Sequence, residues 1–370
     1  MARLQRVVLK GFKSIKEMDL ELRPLNVLIG ANGAGKSNLV SFFKMLNEMM
    51  AGRLQQYVAT SGRAQSLLHF GPKVTPQVEA RLEFEVDNGV DTYTMRLFHA
   101  AGDTLVFADE SLSFLQTGYE TPKKVPLGSG HEETRIGEKA NEGEPTARVF
   151  KHLLDHCRVY HFHDTSPTAR VRQYGYIGDN RWLMPDAGNL AAFLLRLREG
   201  KNGGSVYQRI VTTIQLFAPF FADFDLEPAG ANKKDIILNW RDKGSDQVFG
   251  PHQLSDGTLR AICLVTLLMQ PESELPDLVI VDEPELGLHP YALNIVAALF
   301  KKTSHHTQVL ISTQSSSFLD NFEPEDVVLV SREGKESKFA RPDGAKLEAW
   351  LDEYSLGEVW QKNVLGGGPH

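Results

Sequence analysis

Residues 3–9 and 25–29 alternate or run apolar and predict strands. Between them, Lys10–Arg23 mixes charge with Phe12, Ile15, Leu20 and Leu22, which predicts a hairpin. After Ser37, Leu39, Phe42, Phe43 and Leu46 recur at helical spacing, so a helix starts where a glycine-rich loop ends. VEARLEFEV at 78–86 alternates strictly, Asp87-Asn88-Gly89 supplies a turn, and 92–98 follows as the second arm of a hairpin. A further strand pair at 104–108 and 111–115 extends that sheet. Residues 117–146 are rich in Gly, Pro, Glu and Lys and predict a surface loop or mobile insertion.

Further along, CRVYHFH at 157–163 predicts a strand. Residues 189–200 predict a helix capped by Asn189 and packed through Leu190, Phe193, Leu194 and Leu197. A second helix covers 205–217, with Asn202, Gly203 and Gly204 as the break between them. Leu259–Met269 is an apolar helix, and Leu278–Val281 is a short apolar run that suits a buried parallel strand. Val309–Ile311 reads as another strand. No heptad pattern persists, and no internal repeat is visible.

The chain has 370 residues, 42% of them hydrophobic, enough for one large α/β domain or two smaller ones. No apolar run approaches the roughly 18 residues of a membrane-spanning helix. The start, MARLQRVVLKGFKS, lacks the apolar centre of a signal peptide, so the expectation is a cytoplasmic protein without a membrane partner. Cys157 and Cys263 lie far apart and in apolar surroundings, which suits buried structural thiols. No Cys/His metal cluster is expected, and His161, His163 and Asp164 lack a fourth partner for a metal site. The net charge of −7 argues against strong sequence-independent DNA binding by a monomer, while leaving a local basic patch open.

The candidate chemistry begins at Gly30-Ala31-Asn32-Gly33-Ala34-Gly35-Lys36-Ser37, which fits G-x-x-x-x-G-K-[ST] between an apolar strand and an amphipathic helix. Glycines let backbone N–H groups turn around phosphate oxygens, and the helix N-terminus adds positive dipole. Lys36 is placed to reach the β/γ-phosphates of ATP, and the Ser37 hydroxyl to bind Mg²⁺. The strand ending at Val281 runs into Asp282-Glu283-Pro284. Asp282 can hold Mg²⁺, and Glu283 can orient or activate an attacking water.

Leu254-Ser255-Asp256-Gly257-Thr258 precedes the apolar helix. Here the sequence resembles the ABC ATPase superfamily, whose signature reads close to LSGGQ. The resemblance implies that Ser255 and Gly257 touch the γ-phosphate held by another subunit, although Ser-Asp-Gly is also an ordinary helix N-cap. EPELGLHP at 283–290 and FKSI…LNVLIGANGAGKSNL near the start resemble the RecF, SMC and OLD branch more than transporters. In that reading Gly287 and His289 lie in the D-loop, with His289 ordering the loop or the dimer contact, and a catalytic base as the alternative. Gln314 stands where the family has its switch histidine; its amide can donate toward a γ-phosphate but cannot titrate. The Q-loop position falls on His163 or Asp164, with a polar strand end as the alternative.

The resemblance implies a P-loop ATPase head over 1–370, with a mixed core sheet, an antiparallel β lobe and a helical subdomain. Its parts would be a phosphate-loop and β lobe at 1–115, a loop insertion at 116–156 and a helical region at 157–253. A signature, Walker B and switch lobe at 254–330 and a C-terminal extension at 331–370 would complete it. The expected function is an ATP-hydrolysing switch that forms a homodimer or higher homo-oligomer over ATP and Mg²⁺. It would serve DNA metabolism or anti-phage defence with a separate effector such as a nuclease. The stretch after Ser315 is too short for the Toprim nuclease that OLD proteins carry. Trp350, Leu351, Trp360 and Leu365 in that tail could dock a partner or pack on the head itself. A RecF-like clamp that binds DNA directly is the alternative, and a transporter ATP-binding subunit a more distant one.

Overall fold

The computed structural model describes residues 2–200, 204–343, 347, 350–364 and 368. The first strands are β1 (Arg3–Phe12), β2 (Ile15–Glu21), β3 (Leu25–Ile29), β4 (Gln77–Val86), β5 (Gly89–Ala100), β6 (Thr104–Gln116), β7 (Lys123–Gly128) and β8 (Cys157–Tyr160). Then come the short β9 (Gly175–Tyr176), β10 (Phe221–Asp225), β11 (Asp235–Ile236), β12 (Asn239–Asp242) and β13 (Val248–Phe249). The last four are β14 (Leu278–Asp282), β15 (Gln308–Thr313), β16 (Val327–Glu333) and β17 (Glu336–Ala340). The helices are α1 (Lys36–Met50), α2 (Leu54–Thr60), α3 (Arg63–Leu67), α4 (Ile136–Asn141), α5 (Pro145–Asp155), α6 (Leu190–Glu199), α7 (Ser205–Phe217), α8 (Asp256–Met269), α9 (Pro290–Thr303) and α10 (Ser316–Leu319). A terminal helix spans Leu356–Gln361. Packing divides the chain into unit 1 (1–159, 276–280, 307–370) and unit 2 (160–275, 281–306).

Unit 1 holds two six-stranded sheets. One is antiparallel, in the order β2-β1-β4-β5-β6-β7; the other runs β17-β16-β3-β15-β14-β8. β3 lies between β15 and β16 and is parallel to both. All five of its residues are buried, as a central strand requires, and the one polar residue, Asn26, donates to the carbonyls of Arg23 and Val309. α1 buries Leu39, Val40, Phe42, Phe43, Met45, Leu46 and Met49, and joins one continuous core with residues of both sheets.

Several expectations change here. The strand pair at 104–108 and 111–115 is the single strand β6. Arg96 faces Asp109 and Leu97 faces Phe107, so Ala108 is an extra residue, a bulge that disguises the alternation. Residues 116–156 are not a loop insertion, because they carry β7, α4 and α5. Val125, Leu127, Ile136, Ala140 and Phe150 join the unit 1 core, too sparsely spaced to show a period.

A buried carboxylate organises that segment. Glu110 accepts from Tyr93 Oη and His131 Nε2, each at 2.8 Å, from the Thr134 hydroxyl, and from the Arg135 N–H at 3.2 Å. Two residues before Arg135, Glu133 accepts from the N–H groups of Leu54 and Gln55, so a carboxylate sits at the positive end of α2. The strand expected over 157–163 ends at Tyr160. Asn189 precedes α6 but does not cap it; its side chain holds the Met184 N–H and the carbonyls of Asp179 and Trp182 instead. Asn202 and Gly203 lie outside the described residues, while Gly204 starts α7 with φ 72°.

The boundary expected at residue 331 falls inside β16, so the C-terminal stretch supplies two core strands. Beyond them Trp360 is buried, Gln361 Nε2 donates to Ser316 Oγ at 2.7 Å, and the Gly357 N–H donates to Asp320. The tail therefore packs on its own head through Trp360; Leu365 lies outside the described residues. Unit 2 packs α6–α9 around Phe193, Leu194, Ile210, Ile214, Leu264, Leu267, Val296 and Phe300. A small β10-β12-β13 sheet joins them, with Trp240 stacked on Phe249. Cys157 and Cys263 are both buried, and burial pushes both thiols up, that of Cys263 to about 12.

Glu110→Ala should lower unfolding stability by about 3 kcal/mol, because it orphans Tyr93, His131 and Thr134 in the interior. Glu110→Gln, which keeps one acceptor oxygen, should lose less. Urea denaturation followed by circular dichroism measures both; equal stability of all three proteins would show that this network does not hold residues 131–135 in place.

Candidate nucleotide site

In unit 1 the loop Gly30–Ser37 leaves the end of β3 and enters α1. Gly35 sits at the helix N-cap with φ 112°, and Gly33 has φ 79°. Both angles favour glycine. A Cβ on Gly35 would also meet the Ser337 hydroxyl at 2.0 Å, and one on Gly30 would meet the Val330 carbonyl oxygen at 2.2 Å.

The loop's carbonyls are held one by one. Lys36 Nζ donates to Gly30 O at 2.6 Å and to Ala31 O at 3.2 Å. Arg332 Nη1 donates to Gly33 O at 3.1 Å, and Ser337 Oγ donates to Ala34 O. Ser337 pairs in turn with the Ser14 hydroxyl, which accepts from Asn38 Nδ2. A peptide unit whose carbonyl is fixed on one side presents its N–H on the other, a geometry that suits an anion; the Ala34 N–H instead donates within the loop to Ala31 O at 3.1 Å. Asn32, Gly33 and Ser37 are exposed, so an anion can reach the cradle and the Ser37 hydroxyl. Gln314 directly follows β15, whose Thr313 pairs with Ile29 of β3. Gln314 and Gly30 thus leave neighbouring parallel strands at the same end.

Unit 2 gathers a second set. Asp282 ends β14, and Glu283 follows with φ 43°, uncommon for a residue with a Cβ. Such strain costs on the order of 1–3 kcal/mol and concentrates at functional sites. Oδ1 of Asp282 is buried with no hydrogen-bond partner among the described residues. A buried carboxylate oxygen in that condition calls for a compensating positive charge, and a hard divalent cation supplies one. The residues present therefore fit Mg²⁺.

His163 Nε2 lies 2.8 Å from the Asp282 carbonyl oxygen. A carbonyl only accepts, so Nε2 carries the proton and His163 steadies the Asp282 backbone. Asp164 points elsewhere: its carboxylate is bonded by the hydroxyl and then the N–H of Ser166, which hold it below the usual carboxylate range. His161, His163 and Asp164 do not converge as metal ligands among the described residues.

Ser255 caps α8, its oxygen accepting from the Thr258 N–H at 3.1 Å. Gly257, the second residue of α8, lies against the D-loop, where a Cβ would come within 2.1 Å of Gly287 O. His289 Nδ1 accepts from the Tyr291 N–H and so caps α9.

Two arginines escaped the sequence reading. Arg260 donates to the carbonyls of Phe162, His163 and Leu286, tying the segment after β8 to the D-loop. Buried Arg172 donates to the carbonyls of Thr165, Pro251 and Leu254 and to Asp256 Oδ1, fastening the approach to α8. Apart from Asp256, the acceptors named are backbone oxygens in loops, which leave no mark on sequence pattern.

The fold is that of P-loop ATPase heads. The structure is similar to the SmcHead bound to the C-winged helix domain of ScpA, with a TM-score of 0.60, 15% identity, and 91% of this chain and 97% of that one covered. It is also similar to the Smc head domain with an extended coiled coil bound to the C-terminal domain of ScpA, derived from Pyrococcus furiosus. There the TM-score is 0.60 at 14% identity, over 95% of this chain and 99% of that one. A head with a coiled coil and joint from Pyrococcus yayanosii gives 0.52 at 13% identity, over 95% and 99%. At these identities the likeness is one of fold. Among curated proteins no sequence matches. The sequence family described as "AAA domain, putative AbiEii toxin, Type IV TA system" matches residues 25–320, most of the chain, and this protein belongs to that family.

Proposed function

We propose that this protein is an ATP-hydrolysing switch. The observation that carries the reading is the phosphate loop: left-handed glycines between β3 and α1, with the carbonyls of Gly30, Ala31, Gly33 and Ala34 each held by a donor. Such a cradle suits a polyphosphate. In this proposal Lys36 binds the β/γ-phosphates while Ser37 and Asp282 hold Mg²⁺, which neutralises phosphate charge when bound. Glu283 takes a proton from, or orients, the attacking water. Gln314 donates to the γ-phosphate and, being an amide, confers no titration step.

Ser255 and Gly257 act in trans on nucleotide held by a second copy, so ATP closes a homodimer. Closure changes what a partner can bind, and a separate effector, such as a nuclease in DNA metabolism or anti-phage defence, reads that change. This part rests on family resemblance. The Smc heads bound to ScpA are one case of a head that works with another chain.

Glu283→Gln should keep ATP binding, lower turnover at least about 100-fold and let a nucleotide-bound dimer accumulate. Single-turnover hydrolysis and mass in solution with ATP measure this; near-normal hydrolysis would overturn the assignment of the base. Ser255→Arg and Lys36→Ala chains should each be inactive alone and regain partial activity when mixed, because one intact composite site forms. Normal hydrolysis by Ser255→Arg alone would show that the heads work as monomers.

A further inference from the structure

Two histidines and an aspartate, far apart in sequence, meet in unit 1 away from the phosphate loop. His152 lies on the last turn of α5, and His156 follows four residues later as its C-cap. That spacing puts both imidazoles on one side of the helix, with ring centroids 4.0 Å apart. Asp277, immediately before β14, completes the group, and one ligand atom from each of the three side chains lies within 4.8 Å of the others. The backbone fixes the meeting, because the N–H of Leu278 donates to the His156 carbonyl at 3.1 Å.

The chemistry of the donors favours a cation. His156 Nδ1 lies 2.8 Å from the His152 carbonyl oxygen. Since that oxygen only accepts, Nδ1 carries the proton, and neutral His156 presents its Nε2 lone pair. His152 Nε2 is 3.6 Å from Asp277 Oδ2, beyond hydrogen-bond range. Two ligands of one tetrahedral ion, each about 2.1 Å from it, stand roughly 3.4 Å apart, close to that spacing. The His152 side chain is 61% exposed, so its ring is open to solvent and can turn. Burial raises the Asp277 carboxyl above its ordinary range, and the two histidines oppose this. These are the surroundings in which a carboxylate gains from a nearby positive charge.

We propose that His152, His156 and Asp277 bind a divalent transition cation of the Zn²⁺ class through two imidazole nitrogens and one carboxylate oxygen. Imidazole donors select this class over Mg²⁺ and Ca²⁺, and water fills the remaining positions. The ion pins the end of α5 to the start of β14. The proposal departs from the expectation of no Cys/His metal cluster, and it does not depend on the nucleotide reading.

The test uses the full chain without a histidine tag, stripped with chelator and free of nucleotide. Zn²⁺ binding is measured by calorimetry and Co²⁺ binding by visible absorption, for the natural protein, His152→Ala and Asp277→Asn. The natural protein should bind one ion at this site, and each variant should bind about tenfold or more weakly and lose the Co²⁺ band. Asp277→Asn separates the proposal from a plain helical histidine pair, which would bind the ion equally with or without the carboxylate. Circular dichroism and ATP binding should be unchanged in both variants. Failure of the natural protein to bind either ion, or equal affinity in Asp277→Asn, would overturn the site.

Discussion

The constraint on which unit 1 depends is that a phosphate cradle needs its peptide carbonyls satisfied from behind. N–H groups that turn toward a ligand leave carbonyl oxygens pointing away from it, and unpaired oxygens inside a protein are costly. Here the donors come from three distant places: Lys36 in α1, Arg332 in β16 and Ser337 in β17. This explains why residues 327–340 must lie in the core sheet beside β3. It also explains why Gly30 and Gly35 have no room for a side chain, since the strands that supply the donors come too close. The hydroxyl pair of Ser14 and Ser337 extends the same support to the turn between β1 and β2.

Unit 2 solves a related problem with arginine. The loops that carry Asp164, Leu254 and Leu286 send carbonyls to two guanidinium groups. A guanidinium offers five donors in a fixed plane, so one side chain can hold several peptide units in register. Arg260 and Arg172 use that capacity on backbone oxygens. With the neighbouring loops fastened, the backbone strain at Glu283, with φ 43°, can persist.

Where structure follows from local pattern, the sequence was readable. LNVLI followed by the glycine loop, the helix beginning at Lys36, and α7 over 205–217 rest on near-neighbour periodicity and turn chemistry. The hairpin of β4 and β5 was legible for the same reason. The failures share a cause as well. Residues 116–156 take their order from Glu110, from a few spaced apolar residues, and from Glu133 at the start of α2, all long-range contacts. Asn189 looked like a cap because its residue type suits one, yet its amide serves a loop. His152 and His156 could be seen as a pair, but Asp277 reaches them only because the sheet sets β14 beside β8.

The contact between Gly257 and Gly287 has a consequence for how this family can diverge. The Cα of one glycine backs onto the peptide of the other, with no space for even a methyl group. A change at Gly257 would be tolerated only if the backbone at Gly287 moved as well, whereas at Gly287 a Cβ would lie 4.0 Å from Gly257 and meet Arg260 Nη1 at 3.0 Å. Relatives that carry a side chain in place of Gly257 should therefore show a compensating change in the length or course of the segment around Gly287.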